Sequence, residues 1–420
     1  MKEHLIAGID LGSSSIRLAV GQVTFGTDKR PSLHIIGAVE TPSAGISKGT
    51  ISSLEDAVSA LSACLEQIER QIGLPLTEAY VGLNGTYTSV QQSKGVIGVS
   101  SGAEIREEDV RRALDSARSV VNPSNYEVLH VLPRGFTVDG HAGIEDPTGM
   151  QGIRLEADVH IVQGLSTHVR NVTRAVMRTN VDVSALVFAP IATAEVITTP
   201  RQREVGVAVI NIGAMTTSLA VYEEGDLLHA AVIPIGSDHI TRDIAIVLRT
   251  TLELAEQFKQ SYVSAFAEQV NTEDAFDLQQ LGALESETVS PRFVSDVAQA
   301  RVEELFEKVE DELKRIGRSG LLPAGVLLTG GGVKMQGIVD VGKQTLRLPV
   351  SIAAAIAIPS PLIEAMQDPA FSTAIGLVYW GYVEERDDRG HGNKGGFSGG
   401  GNMFKNISSS LKKIFKSFIP

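Results

Sequence analysis

The sequence predicts an α/β chain of two related halves, with a small α+β block set into the first and an amphipathic helix tethered at the end. Three observations carry this. A strand–turn–strand stretch near the start returns in the same pattern about 200 residues later. The block from about residue 85 to 164 has its own texture of short β-like runs and one charged helix. The last residues change abruptly from glycine-rich to lysine- and phenylalanine-rich.

The first stretch runs from Leu5 to Val20 and turns at Asp10-Leu11-Gly12-Ser13-Ser14-Ser15. Backbone N–H groups in such a turn form an anion-binding concavity, and a glycine lets a phosphate approach closely. Asp10 is placed to hold Mg²⁺ through water, because that ion favours a carboxylate together with phosphate oxygens. An ordinary serine-rich turn is the alternative. The second copy, Asn211-Ile212-Gly213-Ala214-Met215-Thr216, repeats the logic between two apolar strands and favours the cradle. Two such hairpins facing each other clamp a nucleotide polyphosphate between domains, a common place for ligand sites.

Size and charge set bounds. At 420 residues, 43% of them hydrophobic, the chain has room for two or more globular domains. A formal charge of -13 argues against general nucleic-acid binding. The single cysteine, Cys64, excludes an intrachain disulfide and fits a reducing compartment. The N-terminal apolar run is short and carries Asp10, unlike a secretory signal.

Along the chain, Ser52-x-x-Glu55 reads as a capping box. Leu54, Val58, Leu61, Leu65, Ile68 and Ile72 then recur at helical spacing until Gly73 and Pro75. Tyr80 to Leu83 reads as a strand ending in an Asn84-Gly85 turn. In the inserted block, a helix over Glu107 to Val120 accompanies the β-like runs. His130 and His160 lie inside apolar strands without metal-ligand spacing, so they read as buried structural histidines. Helices are expected over 167–178, 238–249, 252 to about 266, 293–316 and 371–382. Glu256 and Lys259, one turn apart, read from spacing alone as a surface pair. Gly330-Gly331-Gly332 follow a buried strand; they let the backbone lie against a flat ligand, or make a plain tight turn. The apolar run Leu348 to Pro359 falls short of the roughly 20 residues of a membrane span and is expected to be buried core.

From Glu384 to Gly401 the chain reads as a flexible tether with a coil reach on the order of 25 Å. In the terminal segment, Met403, Phe404, Ile407, Leu411, Ile414, Phe415, Phe418 and Ile419 fall on one helical arc. Lys405, Lys412, Lys413 and Lys416 gather opposite, with no acidic residue among them. The segment carries +4, so the rest of the chain carries -13 minus 4, or -17. This is the pattern of an interfacial helix on an anionic membrane; the alternatives are a helix docked on the body, which the glycine tether disfavours, or in a partner's groove.

Several of these stretches together resemble one family. The inserted block carries Ile105-x-x-x-Asp109-Val110, then Val128-Leu129-His130-Val131-Leu132-Pro133 and Gly135-Phe136-x-Val138-Asp139-Gly140. It continues with Asp146-Pro147-x-Gly149-Met150-x-Gly152-x-Arg154-Leu155-Glu156. Downstream stands Pro234-x-Gly236-x-Asp238-His239-Ile240-Thr241-x-Asp243-Ile244-Ala245. With the paired hairpins and the tail, the chain resembles the FtsA family of bacterial actin-like cell-division proteins over nearly its whole length.

The resemblance implies an actin-like two-lobed fold with duplicated RNase H-like halves. The first half would be residues 1–84 and 165–200, interrupted by the family's subdomain at 85–164. The second would be 201–233 and 296–358, with an upper subdomain at 234–295. Helices over 359–383 would return to the first half, followed by the tether 384–401 and the membrane helix 402–420. It further implies ATP with Mg²⁺, protofilaments of this chain, and a peripheral place on the cytoplasmic face of the inner membrane at the division septum. Implied partners are the FtsZ C-terminal tail, bound near Pro234 to Ser295, other division proteins, and anionic lipid. Glu256 and Lys259 match family positions beside the adenosine, with Gly330 to Gly332 as the adenosine loop. Asn211 departs from the aspartate of many second loops, and Ala214 and Met215 from their glycines, so at most weak ATP hydrolysis is expected. The alternatives are an actin-like pilus-assembly protein and an ATPase or sugar kinase of the same superfamily.

Overall fold

The computed structural model describes residues 4–25, 31–100, 104–120, 124–282, 286–355, 358, 360 and 362–389. The expected membrane helix at 402–420 lies outside them.

The first half opens with an antiparallel meander of β1 (His4–Leu11), β2 (Ser15–Phe25) and β3 (Pro31–Pro42). A two-rung hairpin follows, β4 (Ile46–Ser47) and β5 (Thr50–Ile51). Helix α1 (Leu54–Ile72) then crosses over to β6 (Glu78–Leu83), which pairs parallel with β1. Parallel pairing needs such a crossover. After the insertion come α3 (Ser166–Met177) and β11 (Asp182–Phe188), parallel to β6. The sheet order is β3-β2-β1-β6-β11.

Helices α4 (Ala189–Ile197) and α5 (Pro200–Val205) lead to the second half. There β12 (Val207–Ile212), β13 (Thr217–Glu223) and β14 (Asp226–Ile233) form the same antiparallel meander. Helices α6 (Ser237–Leu248) and α7 (Leu252–Tyr262), the small strands β15 (Phe276–Asp277) and β16 (Thr288–Val289), and the long α8 (Pro291–Arg315) intervene. Then β17 (Val326–Thr329), α9 (Ile338–Leu346) and β18 (Val350–Ile352) add two parallel strands. The order β14-β13-β12-β17-β18 repeats that of the first sheet. This is the duplicated actin-like architecture. Helices α10 (Ile363–Gln367) and α11 (Ser372–Arg389) complete it. Between β6 and α3 sits a separate sheet of β7 (Thr88–Gly98), β10 (Arg154–Leu165), β8 (Tyr126–Val138) and β9 (His141–Ile144), covered by α2 (Glu107–Val120). It has its own core, including Val110, Leu114, Phe136 and Leu155.

The second sheet shows why its strands read as continuous apolar runs. Val207, Val209, Ala220 and Tyr222 face one core, shared with α4 and α11. Ala208, Ile210, Leu219 and Val221 face another, filled by α6 and α8. A sheet buried on both faces leaves no polar alternation. His130 is buried and its Nε2 accepts the Phe188 N–H at 3.0 Å; desolvation pushes its pKa down to about 3, so the imidazole is neutral.

Four local readings are corrected. Helix α1 is capped by Ser53, whose side chain accepts the Asp56 N–H, while the Ser52 N–H is spent on Gly45 O. Helix α7 ends at Tyr262 instead of near 266: the next residues are extended, and Ala265 N–H donates to Gln336 O. The run from Leu348 is core only in part: on the edge strand β18 Ser351 and Ile352 are exposed, while Ala353, Ala355 and Ile358 are half-buried against the first core. Helix α11 continues to Arg389, past the expected start of the tether; no glycine stands between Gly381 and Gly390.

Candidate functional site between the halves

The β1–β2 and β12–β13 turns approach each other across a cleft of about 560 Å³. The first turn comprises residues 12–14, with Asp10 opposite Arg17 and Leu11 opposite Ile16 in the ladder. A Cβ on Gly12 would sit 2.5 Å from Ser15 O, so only glycine fits. The second turn is closed by Gly213 N–H donating to Thr216 O at 2.9 Å. Here a Cβ would lie 3.0 Å from the same oxygen, a looser version of the same constraint. The carbonyls of Gly213 and Ala214 accept the Ser237 and Asp238 N–H groups at 2.9 and 2.8 Å. The second turn is thereby docked on the start of α6, where N–H groups lack intrahelical partners.

The third wall is Gly330 to Gly332, which leads from β17 into a single 3₁₀ turn. Gly330 has φ +91, and a Cβ on it would meet Asn211 Oδ1 at 2.2 Å and Ile212 O at 2.6 Å. The glycines lie directly on the second hairpin. Asn211 is committed elsewhere too. Its Nδ2 donates to Thr373 Oγ1 at 2.9 Å, and Thr373 lies 2.9 Å from Thr193 Oγ1. Thr193 in turn donates to Ala189 O. This buried chain joins β12 of the second half to α11 and α4.

Of the residues singled out from the sequence, the cleft brings together Asp10, Gly12, Ser13, Ser14, Ser15, Asn211, Gly213, Ala214, Met215, Thr216, Glu256 and Gly330 to Gly332. Lys259 stands behind the wall. Its buried Nζ lies 2.6 Å from Glu256 Oε2 and 2.7 Å from Thr241 Oγ1. It orients Glu256; the surface-pair reading fails because α7 packs this face against α6. Burial pushes the Glu256 carboxyl up, but the bonds from Lys259 and Thr241 hold it below its usual range.

Sequence reasoning missed Arg17, Glu40, Asn84 and Asp238, all at the cleft. Arg17 had a signal: it is the one charge inside the apolar run Ile16 to Val20. Its Nη2 pairs with Glu40 at 2.9 Å. Desolvation raises Asp10 to about 6 against the opposing pull of Arg17. Burial raises Asp238 as well. Such an arrangement suits a polyanion held by turn amides, with a hydrated cation at Asp10. Asn211 brings no negative charge to a metal-bound water. Among the described residues no group of three or more His, Cys, Asp or Glu is set to hold a metal alone.

Comparison with known proteins agrees with this architecture. The family model for cell division protein FtsA matches residues 208–376, and that for the SHS2 domain inserted in FTSA matches 85–163. The chain is 34% identical to the cell division protein FtsA of Bacillus subtilis (strain 168) over 395 residues, covering 94% of this chain and 86% of that one. Among solved structures, a chain of the PilM-PilN type IV pilus biogenesis complex superposes with a TM-score of 0.63 at 18% identity, covering 90% of this chain and 98% of that one. MreB5 of Spiroplasma citri bound to ADP gives 0.53 at 13%, covering 93% and 99%. At such identities the two structures speak to the fold alone.

Proposed function

The chain belongs to the FtsA family of cell division proteins, and from that premise we propose that it is an ATP-dependent membrane adaptor for the division ring. Mg-ATP would be held between the halves. The turns at Gly12 and Gly213 would carry the phosphates, Asp10 a water of the cation, and Glu256 with Gly330 to Gly332 the nucleoside. The bound nucleotide fixes the two halves in the arrangement that assembles into filaments. The upper subdomain takes the FtsZ C-terminal tail, and the helix at 402–420 rests on anionic lipid at the cytoplasmic face of the membrane.

The observation that carries this reading is the meeting of two equivalent turns, one from each half, in a single cleft. A ligand that bridges them must couple the halves. The chemistry asked of the site is holding more than cutting. Asn211 gives an amide proton to Thr373 and brings no charge to the cation, so ATP turnover is slow. No helix among the described residues is long and apolar enough to cross a membrane; the proposed attachment is interfacial, through the tail.

The experiment is vesicle co-sedimentation of the full chain and of a chain ending at Gly401, with and without Mg-ATP. The full chain should pellet with anionic vesicles and carry FtsZ with it, and the shortened chain should stay in solution. Equal pelleting of both sinks the tail assignment.

A further inference from the structure

The segment between β3 and α1 is fastened to both turn tips of the cleft. Ser43 N–H donates to Ser14 O at 2.9 Å, on the first hairpin. Ser47 Oγ donates to Met215 Sδ at 3.4 Å, on the second. Thr50 Oγ1 closes the small β4–β5 hairpin by donating to Ser47 O at 2.8 Å. Its two turn residues, Lys48 and Gly49, have φ +52 and +75, as a two-residue hairpin turn requires. Gly49 is pressed on the end of β6: a Cβ there would lie 2.5 Å from Asn84 O. Both Gly49 and Asn84 line the cleft. The hairpin tip is therefore a fixed piece of backbone at the end of the cleft where the two turns meet.

The charges around the cleft make this tip chemically pointed. Five lining residues are acidic: Asp10, Glu40, Asp238, Glu253 and Glu256. Three are basic, and two of those are already engaged. Arg17 pairs with Glu40 at 2.9 Å and Lys334 with Asp368 at 2.7 Å. The third, Arg242 on α6, is exposed and makes no ion pair among the described residues. It is the one unengaged cation in the lining, and a polyphosphate placed here would still be short of compensating charge against five carboxylates. Lys48 is exposed at the hairpin tip and makes no ion pair among the described residues.

We propose that Lys48 is a ligand for the terminal phosphate of a nucleoside triphosphate in the cleft, so that the β4–β5 tip distinguishes triphosphate from diphosphate. The inference rests on the nucleotide reading above. A cation delivered by a hairpin tied to both turns engages the third phosphate without changing the nucleoside end of the site. Its Ser47–Met215 tie then makes the same hairpin a strut across the halves when the triphosphate is present.

The test is calorimetric titration of the full chain with Mg-ATP and with Mg-ADP, in wild type, Lys48→Gln and Lys48→Arg. Neither substitution alters the left-handed turn more than lysine does. A charge-assisted contact to phosphate of ordinary strength predicts that Lys48→Gln weakens ATP about tenfold. ADP should stay within about twofold, Lys48→Arg should regain most of the ATP affinity, and added salt should shrink the difference. An ATP-to-ADP ratio unchanged by Lys48→Gln overturns the proposal, as does equal loss of both ligands, which would mark a purely structural tip. If wild type binds neither nucleotide, the nucleotide reading falls and this inference with it.

Discussion

Replacing Gly330 by alanine puts one methyl group where the glycine turn rests on the second hairpin. The new Cβ would stand 2.2 Å from Asn211 Oδ1 and 2.6 Å from Ile212 O, far inside van der Waals contact. The Asn211 side chain can rotate away only by giving up its 2.9 Å bond to Thr373, worth about 1 kcal/mol. The Ile212 carbonyl is part of β12 and cannot move without disturbing the ladder; overpacking of this kind costs about 1–3 kcal/mol. The backbone at φ +91 adds about 1–2 kcal/mol for any residue with a Cβ. Together these amount to about 3–6 kcal/mol. The control is Gly317→Ala, also at positive φ (+69) but with nothing within 4 Å of the added Cβ; it isolates the backbone cost of about 1–2 kcal/mol. Urea unfolding followed by far-UV circular dichroism, with Mg-ATP titration of the surviving folded protein, reads both effects. Gly330→Ala should lose several times more stability than Gly317→Ala and should lose nucleotide binding. Equal shifts for the two variants, with binding intact, would refute the close-packing argument.

Three further outcomes follow from the same contacts. Thr373→Val removes the acceptor of Asn211 Nδ2 and one of the two partners of Thr193, which keeps its bond to Ala189 O, at a cost of about 1–3 kcal/mol; Thr373→Ser should recover most of the thermal stability. Asp10 titrates near 6 in the folded chain against 3.8 unperturbed, so Mg-nucleotide affinity should rise from pH 5 to pH 7 as the carboxylate forms. The stability term has the opposite sign: the neutral form is favoured by folding, so its contribution is present below about 4 and is lost as pH rises through about 6, a dependence that Asp10→Asn should remove in pH-resolved unfolding. Leu411→Glu places a carboxylate on the apolar arc of the tail and should abolish vesicle binding while Mg-ATP affinity is unchanged; loss of both together would mean that the helix docks on the body.

The two turns were legible because their requirement is local. A strand that must reverse beside a ligand needs glycine at the corner, and Gly12 and Gly213 declare themselves within six residues. The duplication was legible for the same reason, as a pattern repeated. Strand order was not, since nothing local says that β6 lies beside β1 or that β17 lies beside β12. Arg17 and Glu40 were missed because they occupy facing positions on neighbouring strands, β2 and β3, and their meeting depends on register. Lys259 was misjudged by spacing, because an i,i+3 pair on α7 looks exposed until α6 is laid over it. The Leu348 run looked wholly buried because composition does not reveal that its middle, Ser351 and Ile352, lies on a sheet edge. In the tail, composition alone spoke, through lysines and apolar residues on opposite arcs.

The central claim is that one ligand engages both halves at once, and hydrogen exchange measures this directly. On titration with Mg-ATP, amides of residues 10–15, 211–216 and 330–332 should gain protection together, along a single saturation curve. Protection confined to one turn, or separate curves for the two halves, would contradict a clamp between them.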